Sequence, residues 1–331
     1  MKRRILGVAV AMAVSAGPAV AQAPAAPQLS VSGVGYAQWN YNLSGDQHLN
    51  AFDVTRTYVN FNGKFAGGVS TRVTPDIYRV ADGSLAYRLK YAYVAYQPKA
   101  NGITWKFGLI QTPWVGREED LWGYRMQGSI AVDRAGVMSS ADFGLSADAK
   151  LANGRFDLNA GIYNGEGYKT GESDQRKDFM VRGSYLLSAT DDNSATGGFR
   201  LSGYAGIGKA AGGVDRDRYV GQLSYATTRY TLAGEYVSVT NGDVTGSILS
   251  AFGVYRLSNS KWAVIGRVDQ YDPDGDTDND ASTRIIGGAS YQVSPNLRVL
   301  GDVDLLSHEA GDPDLSVDPR NQALVQLQFT F

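Results

Sequence analysis

Arg320-Asn-Gln-Ala-Leu-Val-Gln-Leu-Gln-Phe-Thr-Phe331 ends the sequence, and its pattern decides the fold. Ala323, Val325, Leu327, Phe329 and Phe331 alternate with Gln322, Leu324, Gln326, Gln328 and Thr330, and a two-residue period marks a β-strand with one apolar and one mostly polar face. The strand runs to the last residue and stops on an aromatic ring. An apolar strand left at the edge of a soluble sheet invites edge-to-edge association, whereas a closed barrel has no edge. The pattern predicts an all-β chain closed into a barrel.

Working backward, the same period recurs in segments of about ten residues, the signature of a transmembrane antiparallel barrel. Strands are predicted near 28–41, 52–65, 69–80, 84–97, 103–111, 142–151, 155–164, 177–187, 198–208, 216–226, 229–240, 246–257, 261–271, 283–293, 297–306 and 320–331. That is about 16, an even number. In the fourth, Leu85, Tyr87, Leu89, Tyr91 and Tyr93 are placed on one face and Arg88, Lys90 and Tyr96 on the other. In the fifth, Ile103, Trp105, Phe107 and Leu109 oppose Thr104 and Lys106.

Breaks at 66–68, 99–102, 152–154, 227–228, 258–260 and 294–296 are rich in Gly and Asn, which supply the positive φ of tight hairpins, and they mark one rim. Breaks at 42–51, 112–141, 165–176, 209–215, 272–282 and 307–319 are longer and more charged, and mark the other. Two breaks depart from this alternation: 81–83 is short for its rim and 188–197 long. Trp39, Tyr41, Tyr91, Tyr93, Trp105, Tyr255, Trp262 and Tyr291 cluster toward strand ends, as girdles at a membrane interface do. A soluble sandwich would bury the other faces, but these carry charges such as Asp148, Asp157, Arg182, Arg200, Arg267, Asp269, Asp302 and Asp304, whose desolvation would be prohibitive. A wet lumen accommodates them.

Lys2, Arg3 and Arg4, an apolar run from Ile5 to about Ala16, and Ala19-Val-Ala21 before Gln22 read as a secretory signal peptide over 1–21, leaving 22–331 as the barrel. A dozen apolar residues are too few for a spanning helix, which needs about 20. Without the three basic residues of that segment the formal charge is −5, and such acidity argues against a nucleic-acid partner. The sequence has no cysteine, so neither disulfides nor thiolate metal sites stabilise it.

The run Gly108-Leu-Ile-Gln-Thr-Pro-Trp-Val-Gly-Arg-Glu-Glu-Asp-Leu-Trp-Gly-Tyr-Arg125, with Thr55-Arg-Thr-Tyr-Val-Asn-Phe-Asn-Gly-Lys-Phe65 and the Phe-terminated last strand, resembles the Gram-negative outer-membrane porin superfamily, and within it the phosphate-selective porin O/P-like branch. The resemblance implies a passive diffusion channel in the outer membrane and not an enzyme. It implies a homotrimer of 16-stranded barrels in contact with lipid and lipopolysaccharide, a third outer loop folded into the lumen, and recognition of Phe331 by the barrel-assembly machinery. The longest break, 112–141, stands in the third-loop position. It lacks the dense basic ladder of the phosphate-selective branch, since Glu118, Glu119, Asp120 and Asp133 accompany Arg117, Arg125 and Arg134.

Sequential hairpins make the second to fifth strands neighbours, so that Arg56, Lys64, Arg72, Arg88, Lys90 and Lys106 form a basic wall opposed on those strands by Asp76 alone. With the loop residues Arg117, Glu118, Glu119, Asp120 and Arg125 they form the expected constriction, across which opposed charges set up a transverse field. Other motifs compete with this reading. His48 and His308 are the only histidines, and His308 beside Ser307 or Ser290 would suit a phospholipase-like barrel hydrolase, though no Gly-x-Ser-x-Gly elbow is present. Asp272, Asp274, Asp276, Asp278 and Asp280 offer hard oxygen ligands for Ca²⁺, or a solvated acidic loop bridged to lipopolysaccharide by divalent ions. Gly206-Ile-Gly-Lys-Ala-Ala-Gly212 resembles a phosphate cradle without the helix that such a loop introduces.

Overall fold

The computed structural model describes residues 26–44, 50–99, 102–172, 174–309 and 321–331; the signal-peptide reading of 1–21 and His48 lie outside them. The alternating segments form β1 (Gln28–Asn42), β2 (Asn50–Lys64), β3 (Val69–Arg79), β4 (Leu85–Tyr96), β5 (Thr104–Gln111), β6 (Ala141–Leu151), β7 (Phe156–Tyr163) and β8 (Asp178–Ser188). They continue as β9 (Gly198–Ile207), β10 (Arg216–Ala226), β11 (Tyr230–Asn241), β12 (Val244–Arg256), β13 (Trp262–Asp272), β14 (Ser282–Ser294), β15 (Leu297–His308) and β16 (Gln322–Thr330). Each strand pairs antiparallel with its sequence neighbours, and β16 returns to β1 with Tyr36 opposite Gln328 and Ala37 opposite Leu327. The barrel is closed and has no free edge.

Burial alternates along the strands as the period demands. Phe52, Leu29, Phe107 and Tyr87 are among the outward apolar side chains, exposed by 87, 76, 71 and 65%. A continuous apolar exterior of this kind needs an apolar medium around it. Aromatic pairs stand near the short-turn rim: Tyr230 stacks on Tyr255 with ring centres 5.1 Å apart, Trp262 lies 5.0 Å from Tyr291, and Tyr96 is directly opposite Trp105.

Bulges redirect several expected side chains. Thr74 pairs with Tyr91 and Pro75 with Leu89, which leaves Lys90 as the extra residue; a proline cannot donate to the ladder and is tolerated at such a bulge. Parity flips beyond it. Leu85, Tyr87 and Leu89 remain exposed, Tyr91 is buried, and Val94 and Tyr96 are exposed in its place. Tyr91 and Tyr93 are therefore neither on the outward face with Leu85 nor in a girdle, and Tyr96 is not on the inner face. In β5, Gly108 takes φ +125°, and Leu109 beyond it is buried with Tyr91 and Ala141 instead of sharing the exposure of Trp105 and Phe107.

The lumen is not uniformly polar. The segment 112–140 contains α1 (Val115–Trp122) and α2 (Ala131–Arg134), and its Trp114, Val115, Leu121, Trp122, Tyr124, Met126, Ile130 and Val132 form one cluster with Val220, Val237, Val239, Ile248, Phe252, Val254, Ile265 and Leu300 of the inward faces of β10–β15. Trp122 is fully buried, its ring edge-on to Phe252 at 5.1 Å. Polar contacts accompany the packing. The Tyr124 hydroxyl bonds Ser290 Oγ at 2.8 Å, Gln127 Nε2 donates to Asp304 at 3.1 Å, and Arg134 pairs with Asp304 at 3.0 Å. Trp122→Ala is expected to remove about 3–5 kcal/mol of packing from this segment without opening the barrel. Limited trypsin digestion checks it: the variant should be cut after Arg117 or Arg125 while the parent is not.

Candidate functional site

With one side of the barrel occupied by that packing, an opening of about 360 Å³ remains between β1–β4 and α1. On the wall, Asp76 is fully buried, accepts from Arg56 at 2.9 Å and forms a looser ion pair with Arg88 at 3.6 Å. Lys106 pairs with Asp148 at 2.8 Å. Arg72 donates to Asn60 at 2.8 Å and Thr74 at 3.0 Å and stacks on the Tyr91 ring at 4.6 Å. Lys90, 3% exposed, donates to the Tyr58 hydroxyl at 3.2 Å and lies 4.7 Å from that ring and 5.6 Å from Tyr91. Arg72 and Lys90 are thus held by neutral oxygens and aromatic faces, and both line the opening.

The opposite side is α1, whose 3.6-residue period divides its charges between two faces. Val115, Glu118, Leu121 and Trp122 are buried, whereas Gly116, Glu119 and Asp120 line the opening with Gly123 and Arg125. Gly123 ends the helix at φ +67°, its N–H donating to Glu119 O, a left-handed cap that suits glycine. The turn that follows lets Arg125 reach back to Glu119 at 2.6 Å, with Asp133 at 3.9 Å. Burial opposes the Arg125 charge, but Glu119 beside it holds its pKa above the usual arginine value. Asp120 is pushed up by burial and then by Glu119.

The expected constriction residues are only partly brought together. Arg72, Lys90, Glu119, Asp120 and Arg125 meet at the opening, with Arg56 and Arg88 beside it on Asp76. Lys64 stands exposed at the short-turn end of β2. Arg117 points to the far wall, donating to Ser184 Oγ at 2.9 Å and Ala195 O at 3.2 Å. Glu118 turns away from the opening, accepting from Trp114 Nε1 at 2.9 Å beside Glu235 of β11 and near Arg267 and Asp269 of β13. Three tyrosines absent from the expected set, Tyr36, Tyr58 and Tyr91, also line the opening. Tyr58 was legible, since it shares the parity of Arg56 and Asn60; Tyr91 was hidden by the bulge that Pro75 signals.

Glu118 provides a pH dependence. Burial pushes its carboxyl from 4.5 up to about 7, so the docked segment holds the proton more tightly than a solvated carboxyl does. The stabilisation is complete below about 4.5 and is lost as pH rises through about 7. Raising pH from 6 to 8 is expected to loosen α1 and to speed amide exchange over 115–122, and Glu118→Gln, which leaves one carboxyl of the Glu118–Glu235 pair, should reduce the difference.

The remaining candidates do not assemble. Ser290 lies eight residues along β14 from Ser282, the partner of His308, roughly 26 Å away at strand rise. Ser307 is adjacent to His308, so their side chains leave opposite faces, and its hydroxyl donates to Thr283 O at 3.3 Å. No Ser–His pair forms among the described residues. The five aspartates of 272–280 do not converge either: Asp274 accepts from Asp276 N at 3.1 Å and Thr277 Oγ1 at 2.9 Å, closing its own turn. Among the described residues the convergent carboxylates are Glu166, Glu172 and Asp174, of which Glu172 pairs with Lys177 and Asp174 with Arg176. Lys209, in the glycine-rich run after β9, pairs with Asp215.

No family model and no curated protein matches the sequence. Solved structures do match in fold. OmpF of Salmonella typhi, in complex with daunomycin, superposes with a TM-score of 0.70 at 13% identity, covering 92% of this chain and 97% of that one. An anion-selective porin from Comamonas acidovorans gives 0.64 at 14%, covering 92 and 100%, and a variant porin of Rh. blastica gives 0.58 at 17%, covering 92 and 100%. The shared feature is the closed 16-stranded antiparallel barrel.

Proposed function

We propose that this chain is an outer-membrane porin, a passive diffusion channel for small hydrophilic solutes and ions, and not an enzyme. The observation that carries the reading is the pairing of an apolar exterior with a charged internal opening, Arg72 and Lys90 on one side and Glu119 and Asp120 on the other. Neither half would serve a soluble barrel. Opposed charges across a narrow low-dielectric section order water and favour small polar or zwitterionic solutes over apolar ones of equal size. On this reading the short-turn rim faces the periplasm, the long-loop rim contacts lipopolysaccharide, and the segment 112–140 is the constriction loop. Three barrels assemble as a homotrimer, and Phe331 engages the assembly machinery.

Phosphate selectivity has less support. Most cations at the opening already have a carboxylate beside them, Arg56 and Arg88 sharing Asp76, Lys106 on Asp148 and Arg125 on Glu119, which leaves too few for dense polyanion binding; a mild preference for small anions fits better. The test is purified protein added to planar bilayers. Stepwise conductance proportional to salt supports the channel, a reversal potential in a salt gradient gives its selectivity, and a folded, heat-modifiable barrel that never conducts would sink the proposal.

A further inference from the structure

The connection between β7 and β8 turns back into the barrel. Asn164 N donates to Phe143 O at 2.9 Å, Gly165 N to Asp142 Oδ2 at 2.6 Å and Tyr168 N to Ala141 O at 3.0 Å, so 164–168 retraces the first residues of β6. Gly165 at φ +111° and Gly167 at φ +75° permit this path, in a region that side chains other than glycine rarely enter. A Cβ at Gly165 would strike Arg216, and one at Gly167 would lie 2.6 Å from Ser139 Oγ. Asn164-Gly-Glu-Gly-Tyr168 is therefore a sequence that aims one aromatic ring inward. Tyr168 packs against the small cluster of Tyr91, Leu109 and Ala141. Its centre lies 5.0 Å from the Arg88 guanidinium, which is also 5.0 Å from Tyr78, and 5.9 Å from Lys90 Nζ.

We propose that Tyr168 is a second constriction element, which sets both the width and the charge that a solute meets on its way to the opening between Lys90 and α1. The inference rests on the channel reading. A ring beside Arg88 and Lys90 acts in two ways: it occupies cross-section, and its electron-rich face draws the two cations onto itself and away from the water path. Lys169 next to it adds a further positive charge, pushed down by burial and, against Asp133, by Arg88, Arg56 and Lys90. Removing the ring widens the path and takes away one of the aromatic faces beside Arg88 and Lys90, which keep Asp76 and Tyr58 as their other partners, so conductance rises and anion preference rises with it.

Tyr168→Ala, Tyr168→Phe and Tyr168→Trp, each confirmed as a folded barrel by heat-modifiable mobility, would be compared with the parent in planar bilayers under a KCl gradient. The alanine variant should raise single-channel conductance by about 1.5-fold or more and move the reversal potential toward anions. The phenylalanine variant should match the parent, and tryptophan should lower the conductance. An alanine variant with the parent's conductance and reversal potential would overturn the proposal, as would a phenylalanine variant that behaves like alanine. If the alanine variant does not fold, the tryptophan variant decides, and conductance equal to the parent's overturns the idea. A parent that never conducts refutes the channel reading itself, which separates the two failures.

Discussion

Replacing Arg72 and Lys90 together with glutamine is expected to turn the channel cation-selective while leaving the barrel folded. These two cations, unlike Arg56, Arg88 and Lys106, are held by Asn60, Thr74, a tyrosine hydroxyl and ring faces rather than by carboxylates. Their removal takes away the two cations across the opening from Asp120, while Glu119 stays paired with Arg125. A unit charge 4 Å from a permeating ion is worth about 1 kcal/mol even in a water-like dielectric, so each lost cation changes the local concentration of an anion roughly fivefold, and that of a cation by as much in the opposite sense. The permeability ratio read from the reversal potential should fall by at least that factor, and the shift should shrink in high salt as screening grows. An unchanged reversal potential would show that the basic wall is not the filter.

The barrel was legible because its signal is local. Where a strand alternates without interruption, as in β10, the expected 216–226 is the observed Arg216–Ala226, and most other boundaries fall within two residues of the pattern. Three things were not legible. Bulges break parity, and Pro75 in β3 moves Tyr91 and Tyr93 of the neighbouring strand, a cross-strand effect that a one-strand reading misses. The inner wall of β10–β15 is partly apolar, and residues such as Val264 and Ile265 give no alternation to separate lipid-facing from core-facing positions. Only the packing of Trp122 and its neighbours against that wall explains Val237, Ile248 and Ile265 on the inside. Finally, reading Arg117, Glu118, Glu119 and Asp120 as one charged patch ignores helical period: α1 sends Glu119 and Asp120 to the opening, and Arg117 and Glu118 to the opposite wall.

Deletion of Phe331 is expected to abolish assembly rather than to alter the channel, and the reason lies in how the barrel closes. Beyond the end of β16, Phe331 N donates to Gly33 O at 3.0 Å and Gly33 N to Phe331 O at 2.8 Å, so the final residue completes the β1–β16 seam. Its ring lies over Gly33 and stacks on Phe329 at 6.1 Å. Two hydrogen bonds at about 1 kcal/mol each and a half-buried ring at about 1 kcal/mol give roughly 3 kcal/mol of seam closure, a factor of about a hundred in the closing equilibrium. A chain ending at Thr330 should therefore be nearly absent from the outer-membrane fraction and be degraded. Gly33→Val separates the two roles of the residue, because a Cβ there would collide with the Phe331 ring and lie 2.7 Å from Tyr58 O, unseating the ring while keeping the terminal aromatic. If the seam matters, Gly33→Val fails as the deletion does, whereas if a terminal aromatic alone suffices, only the deletion fails. Normal membrane levels of the chain ending at Thr330 would refute both.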